Sequence, residues 1–416
     1  METIKEKERL ARKSVGDRRG HQKSALDVQI DEFCMMLKRR QVGGTVQISK
    51  KTVELLRQVL SSQSKCTGQS LREAVRSVGK RIIAVKPNEL SVGNMVRRVL
   101  YFIREEEHLN VIVPGNKTGS GDSDTGSDDE STWHEVQVAE PTSISQMVRA
   151  QSLASLLDKP TPGVGAGGDS NAKRVSMSND SVDVGRRIKG NVIDMLNELI
   201  DELGSIRSQI AEQASEHIHT SEVILTYGFS NTTFTFLKEA AKKRVFSVVV
   251  AEGAPGLEGH EMAKKLAMLP NVVQTTLISD AAVFAMMARV NMVIVGARAV
   301  LANGGVMGAV GLHMVALAAK KHAVPFVILT GLHKLSPEQP FQPEVMMNDF
   351  NSPVGVLDFE AIAQDSEMCQ LHVPCPSFDY VPPHLISLFI TDNGGHNPSY
   401  VYRLLAEYYS PEDSVL

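Results

Sequence analysis

The stretch 222-EVILTYGFSNTTFTFLKEAAKKRVFSVVVA-251 decides the fold, because two short apolar runs enclose a segment of helical length. The runs at 223–226 and 245–250 are rich in β-branched and other apolar residues, as buried strands are. The intervening residues 232–243 are predicted to form a helix. Two apolar strands joined through a helix form a βαβ unit with parallel strands. The stretch therefore predicts an α/β fold.

The same alternation continues to residue 329. Three more strands are predicted, at 272–278, 292–295 and 326–329, and three more helices, at 259–269, 281–289 and 308–322. A parallel sheet must be covered by helices on both faces, so the pattern predicts a doubly wound, Rossmann-like domain. Ligands of such sheets bind at the carboxyl ends of the strands, and a site is expected in the loops that follow them.

Helical periodicity dominates the chain before residue 220. Apolar residues recur at intervals of three and four from 25 to 108, which predicts a bundle of short helices. Lys and Arg are interspersed with Glu there, which favours solvated helix faces over a nucleic-acid-binding surface. A second stripe, from Ile188 to Ile210, predicts one long amphipathic helix that connects the bundle to the α/β domain.

These patterns predict four parts. They are an N-terminal helical domain at 1–110, a largely disordered linker with a short helix at 111–185, a connecting helix at 186–219, and a Rossmann-like assembly domain at 220–416. The linker is predicted because Gly, Ser and Asp dominate residues 114–131, and such a composition buries too little apolar surface to offset the entropy of ordering.

Composition limits the classes of function. The chain has 416 residues, 42% of them hydrophobic, and a formal net charge of −4, which excludes wholesale disorder and is too balanced for a main task of neutralising phosphates. Its four cysteines form no CxxC pair, and the charged N-terminus lacks a secretory pattern, so a cytosolic location is expected. The uncharged run 299–319 approaches membrane-spanning length, but its glycines, Asn303 and His313 favour a buried helix.

The predicted loops contain polar residues but no strong catalytic motif. Ser230 and Asn231 open a helix whose N-terminus could hold an anion, although an ordinary helix cap explains them equally well. Glu252 and His260 could form an acid/base pair or a metal site, but the chain has no HExxH motif, so structural roles are favoured. The glycine-rich run 303–311 fits neither a dinucleotide nor a nucleoside triphosphate fingerprint. Neither a cofactor nor a metal is expected.

A resemblance to one family extends over most of the chain. The runs ILTYGFSNTTFTFLKEAAKK (224–243), AEGAPGLEGHEMA (251–263), ISDAAVFAMM (278–287) and VIVGARAVLANGGVMGAVGLHMVALAAKKHAVPFVI (293–328) carry it. They resemble the alpha, beta and delta subunits of eukaryotic translation initiation factor 2B, a family that also contains methylthioribose-1-phosphate and ribose-1,5-bisphosphate isomerases. The stretch 378–416 resembles one of the three subunit types in particular. The family fold joins a helical domain through a long helix to a Rossmann-like domain, in agreement with the periodicity.

The resemblance also implies which positions of this chain correspond to the catalytic and substrate-binding residues of the isomerases. Their catalytic cysteine and aspartate correspond here to Gly228 and Arg298, and two substrate-binding cations correspond to Ala254 and Ala309. Glycine offers no nucleophile, and arginine has only hydrogen-bond donors and cannot act as a base. Glu252 and Asp280 match two acidic positions of the family. The predicted degenerate isomerase pocket consists of Tyr227, Gly228, Glu252, Ala254, Asp280, Arg298 and Ala309.

The function that the resemblance implies is regulatory rather than catalytic. It is that of a subunit of the guanine-nucleotide exchange complex that acts on initiation factor 2. The expected partners are the other subunits of that complex and the alpha subunit of initiation factor 2, whose phosphorylation is sensed. Membranes and nucleic acids are not expected as partners. The alternative is a sugar-phosphate-binding sensor or isomerase on the same scaffold.

Overall fold

A computed structural model describes residues 25–64, 67–112, 177–341, 348–358, 360, 371–414 and 416. Most of the predicted linker, including its short helix, lies outside the described residues. The boundaries of the four predicted parts therefore stay a prediction. Among the described helices, none is long and apolar enough to cross a membrane.

Four helices form the first described region. They are α1 (Ala25–Lys38), α2 (Thr45–Ser62), α3 (Gly68–Val85) and α4 (Leu90–Ile112). The side chain of Thr67 accepts a hydrogen bond from the Ser70 amide at the start of α3, as an N-cap does. Helix α4 packs against both α2 and α3. The predicted helical spacing thus gives a bundle whose central helix is α4.

The long helix α5 spans Met177–Glu212 and is followed by the short helix α6, Ala214–His217. Its apolar stripe is buried along its length, at Ile188, Val192, Leu196, Leu199, Leu203, Ile206 and Ile210. Residues 177–185, which the sequence prediction assigns to the linker, belong to this helix. The prediction placed these residues in the linker because Ser and Asp dominate them, a composition typical of linkers.

Seven strands form the main sheet: β1 (Val223–Tyr227), β2 (Phe246–Ala251), β3 (Val272–Ile278), β4 (Met292–Gly296), β7 (Phe326–Leu329), β9 (Leu388–Thr391) and β10 (Gly394–His396). Their order in the sheet is β10-β9-β7-β4-β1-β2-β3. Every pair is parallel except β9 with β10. This confirms the predicted α/β class with a mainly parallel sheet.

Five helices cover the two faces of this sheet. Side chains of α7 and α8 pack on the face that also meets the bundle and α5, in one core containing Val53, Leu199, Phe236 and Val248. Side chains of α9, α10 and α11 pack on the opposite face. The helices are α7 (Asn231–Ala240), α8 (Glu258–Ala267), α9 (Val283–Met287), α10 (Leu312–Lys321) and α11 (Val401–Tyr408). The shared core makes the bundle and the sheet parts of one packed unit.

The first residues of one predicted helix belong instead to a small antiparallel sheet. Strands β5 (Ala299–Val300), β6 (Val306–Ala309) and β8 (Phe378–Val381) form it in the order β5-β6-β8. The helix predicted at 308–322 therefore begins only at Leu312. The start of the predicted helix was wrong because Met307 pairs with Tyr380, a partner so distant in the chain that local periodicity cannot reveal it.

Candidate functional site

Tyr227 closes the crevice at the carboxyl end of the central strand β1. Its side chain is buried, and its hydroxyl donates a hydrogen bond of 2.7 Å to the carbonyl oxygen of Val310. A Cβ atom on Gly311 would lie only 2.1 Å from that hydroxyl, so the phenol rests directly against the backbone of Gly311. The place where a Rossmann-like sheet would hold a ligand is therefore occupied by a side chain of the protein.

Asp280 fixes the adjacent loop. Its Oδ1 accepts a hydrogen bond of 3.0 Å from the Gly253 amide, and its Oδ2 accepts one of 2.7 Å from the Ala254 amide. The hydroxyl oxygen of Tyr227 also lies 3.3 Å from the same Oδ2, but its single hydrogen is given to the closer carbonyl oxygen of Val310. Burial and the nearby Asp280 carboxylate raise the pKa of Tyr227 well above its usual value, so the phenol stays a donor. Asp280 thus organises the loop through both of its carboxylate oxygens.

Two glycines bring this loop close to the end of β1. Gly228 has φ +59° and Gly253 has φ +70°, a left-handed conformation that other residues rarely adopt. A Cβ atom on Gly253 would lie 3.1 Å from the Cα of Gly228. Gly228 therefore has a backbone conformation that disfavours any side chain.

Glu252 lies beside this loop and faces partly toward solvent. Its Oε2 is 3.7 Å from Nε2 of the half-exposed His260. The described residues contain no group of three or more His, Cys, Asp or Glu side chains placed to hold a metal ion. The pair that the sequence offered as an acid/base candidate is thus a surface contact.

Arg298 points toward the helical bundle. It donates to the buried carboxylate of Glu89 on the segment that leads into α4, and its guanidinium lies 4.5 Å from the ring centre of Phe378. The hydroxyl of Ser91 also donates to Glu89, over 2.7 Å. A cavity of about 10 Å³ beside these residues has room for one water molecule. Arg298 therefore joins the bundle to the sheet.

A buried lysine adds positive charge behind Arg298. The ammonium of Lys334 donates to the carbonyl oxygen of Ala297 over 2.8 Å. Burial, together with the nearby Arg298, lowers the pKa of Lys334 to about 8. Glu89 is thus the carboxylate that offsets the cations in this part of the described structure.

The structure brings only part of the predicted pocket together. Tyr227, Gly228, Ala254 and Asp280 meet at the end of β1, and Glu252 lies next to them in the chain. Among the described hydrogen bonds and ion pairs, none joins Arg298 to this group. Ala309 is exposed on β6, where it pairs with Phe378.

Sequence reasoning missed three residues around the site. Glu89 gave no signal, because it comes from the bundle and 209 residues separate it from Arg298. The backbone of Val310 gave none because a carbonyl carries no sequence signature. Asp379 accepts hydrogen bonds from the amides of Gly311 and His313 at the start of α10, although it is 66 residues or more away in the chain.

The Tyr227→Phe substitution is expected to lower the free energy of unfolding by about 1–2 kcal/mol, because the partly buried carbonyl of Val310 loses its donor while Asp280 keeps two amide donors. Urea denaturation of both proteins measures this. Tyr402→Phe is the matched control, since Tyr402 is largely exposed and its hydroxyl should contribute nothing measurable. Equal stabilities of wild type and Tyr227→Phe would contradict the conclusion that the hydrogen bond of Tyr227 closes the crevice at the end of β1.

The fold and the closed site define a class of protein. The sequence profile of the initiation factor 2 subunit family matches residues 41–398, and the chain belongs to this family. A curated relative from Dictyostelium discoideum, named translation initiation factor eIF2B subunit beta, is 40% identical over 390 residues, covering 92% of this chain and 95% of the relative. The stretch 378–416 predicts similarity to the beta type, and this relative confirms that prediction.

Solved structures agree with this assignment. The crystal structure of eIF2B beta from Chaetomium thermophilum matches with a TM-score of 0.66 and 25% identity, covering 94% of this chain and 95% of that one. The beta2-delta2 tetramer of eIF2B from the same organism contains a chain that matches with a TM-score of 0.62 and 24% identity, covering 93% and 96%. The second likeness supports the fold alone.

Proposed function

We propose that this chain is a non-catalytic, regulatory beta-type subunit of the guanine-nucleotide exchange complex for translation initiation factor 2, and that it works in the cytosol. Membership of the initiation factor 2 subunit family carries the proposal. Gly228 and Arg298 support it, because the family resemblance matches them to the catalytic cysteine and aspartate of the related isomerases. Neither can supply a nucleophile or a base.

The closed crevice supports binding between proteins rather than chemistry on a small molecule. Tyr227 fills the end of β1, and the carboxylate of Asp280 accepts hydrogen bonds from two amides. A sugar-phosphate isomerase or sensor would have to displace Tyr227 first.

The proposed partners are the alpha, gamma, delta and epsilon subunits of initiation factor 2B and the alpha subunit of initiation factor 2. The Chaetomium thermophilum complex, in which beta and delta chains form a tetramer, supports a delta-type partner. In the proposed division of labour, the α/β region assembles with other subunits, while the helical bundle helps to bind the alpha subunit of initiation factor 2 and to sense its phosphorylation.

Omitting this chain is expected to change the control of nucleotide exchange. We expect the complex reconstituted without it to lose most of its inhibition by initiation factor 2 phosphorylated on its alpha subunit, because the surface that senses the phosphate would be incomplete. Release of fluorescent GDP from initiation factor 2 measures this, with unphosphorylated factor as the control. Unchanged inhibition without the chain would refute the regulatory role.

The enzymatic and sensor alternatives have their own tests. Turnover of methylthioribose 1-phosphate or ribose 1,5-bisphosphate by the purified chain would establish an isomerase. A rise in Tm with millimolar sugar phosphate would establish a ligand site, because a ligand that binds only the folded state stabilises it. We expect neither result.

A further inference from the structure

A small cavity lies between the helical bundle and the α/β region, beside Arg298. Its volume is about 10 Å³, which gives room for one particle of the size of a water molecule. Glu89 and Leu90 line it from the bundle, and Arg298, Met307 and Phe378 line it from the α/β region. The Nε atom of Arg298 is buried and forms no hydrogen bond with any described residue. Because a buried N–H group without an acceptor is costly, the arrangement favours an occupant that accepts a hydrogen bond.

Positive charge exceeds negative charge around this cavity. The ammonium of Lys86 lies 3.8 Å from Oε2 of Glu89, and Arg298 donates to the same carboxylate. Lys334 is buried behind Arg298, and Arg207 of helix α5 lies near enough to repel it. Among the described residues, four cations therefore surround the single carboxylate of Glu89. Buried charge without a counterion is unfavourable, so the surplus favours a bound anion.

The groups next to these cations do not remove the surplus. Arg40 and Asp349, which also act on Lys86, form an ion pair with each other over 2.6 Å. The side chain of His333 is buried, and burial lowers its pKa to about 3, so that it is neutral at physiological pH. Helix α4 begins at Leu90, and its dipole adds partial positive charge at the cavity. The electrostatic potential in the cavity is therefore positive.

Size and charge together discriminate between occupants. The cavity admits one particle of about the size of water, so it is too small for phosphate, sugar phosphates or carboxylates. A water molecule would accept the hydrogen bond from Arg298 but would leave the surplus positive charge in place. A halide ion accepts the same hydrogen bond and also supplies a negative charge. Chloride is the halide that is abundant in cells.

We infer that the cavity beside Arg298 binds a single chloride ion, which accepts a hydrogen bond from Nε of Arg298 and offsets the positive charge between the bundle and the α/β region. The ion stabilises the packing of the two regions, because residues of both line the cavity. The inference does not depend on the proposed function.

Chloride binding is coupled to the protonation of Lys334. Burial, together with Arg298 and Arg207, lowers the pKa of Lys334 to about 8. An anion nearby favours the charged lysine, so by linkage chloride binds best while Lys334 is protonated. The affinity for chloride should therefore fall as the pH rises through about 8 and beyond.

The test compares thermal unfolding of the purified full chain in sodium chloride and in sodium gluconate at equal concentration. Gluconate is too large for the cavity, so it serves as the reference anion. At about pH 7 and about 0.15 M salt, Tm is expected to be about 2 °C higher in chloride, which corresponds to a Kd of about 10 mM. The difference should grow with chloride as a single site predicts, and it should shrink at about pH 9.5.

Two variants locate the effect. Arg298→Lys keeps a cation beside Glu89 but lacks the Nε donor, and it should lose most of the chloride-dependent rise in Tm. Lys334→Met removes a buried charge, so it should reduce the rise and abolish its pH dependence. Arg81→Lys is the matched control, because the ion pairs of Arg81 lie on the exposed surface of the bundle, and it should keep the full rise. Circular dichroism checks that each variant is folded.

Anomalous diffraction from crystals grown in bromide observes the site directly. We expect a bromide peak in the cavity next to Nε of Arg298. A water molecule there, with no anomalous signal, would overturn the inference. A bromide peak without any chloride-dependent rise in Tm would show binding at crystal concentration only and would also overturn it. An equal rise in wild type and in folded Arg298→Lys would show that chloride acts elsewhere.

Discussion

Replacing Asp413 with alanine is expected to lower the free energy of unfolding by about 3 kcal/mol. The carboxylate of Asp413 is completely buried, and Arg104 donates to it through Nε at 2.9 Å and Nη2 at 3.0 Å, while Arg76 donates over 2.7 Å. Removing one partner of a buried ion pair leaves the other charges uncompensated, which typically costs about 3–5 kcal/mol. The lower end applies because the Arg76 side chain is 38% exposed.

The size of this effect follows from where Asp413 lies. Helix α4 forms several hydrogen bonds to the C-terminal segment. Arg97 also donates to the carbonyl oxygens of Asp413 and Ser414, over 3.2 Å and 3.1 Å. Arg98 stacks on the ring of Tyr408, 4.0 Å from its centre. Asp413 thus connects the C-terminal segment to the helical bundle, and its removal should destabilise both.

Urea denaturation of the Asp413→Ala protein measures the loss, and Glu412→Ala is its neighbouring control. Glu412 also pairs with Arg104, but its side chain is 70% exposed, so its removal should cost less than about 1 kcal/mol. Comparable losses in the two variants would show that burial of Asp413 is not what stabilises the segment.

The pH dependence of stability gives an independent check. Burial alone would raise the pKa of Asp413, but hydrogen bonds from Arg104 and Arg76 outweigh it and lower that pKa below its ordinary value. The unfolded chain therefore binds the proton first, and the stabilisation is complete above about pH 4 and is lost as the pH falls through the folded-state pKa. The stability difference between wild type and Asp413→Ala should shrink accordingly in acid.

Replacing Gly311 with alanine is expected to lower the free energy of unfolding by about 3 kcal/mol, and it tests the closed crevice directly. Gly311 has φ +95°, a conformation that costs other residues about 1–2 kcal/mol. The added Cβ would also lie 2.1 Å from the hydroxyl of Tyr227 and 2.8 Å from its Cζ. Tyr227 would have to move and give up its hydrogen bond to Val310.

Gly394→Ala separates these two contributions. Gly394 has φ +113°, but a Cβ there would meet no atom within 4 Å, so the substitution should cost only the backbone strain of about 1–2 kcal/mol. The additional loss in Gly311→Ala, read from thermal and urea unfolding, measures the clash with Tyr227. Equal losses in both variants would indicate that Tyr227 moves aside freely and that the crevice can open.

The amino-acid sequence by itself determined the class of fold, because local periodicity encodes which residues face a core. The alternation from 223 to 329 predicts parallel strands and helices, and the stripe from Ile188 to Ile210 predicts the long helix, since each pattern repeats within a few residues. The family resemblance added which positions surround the end of β1, and there Tyr227 and Asp280 do meet.

Only the tertiary structure decided how those positions are used. Arg298 pairs with Glu89 across 209 residues, and Arg104 pairs with Asp413 across 309, so no local pattern links these partners. Strand β6 likewise forms because Met307 meets Tyr380, although the run around Gly308 reads locally as the start of a helix. Periodicity records burial against a core, whereas ion pairs and strand pairing depend on which distant segments folding brings within a few ångströms.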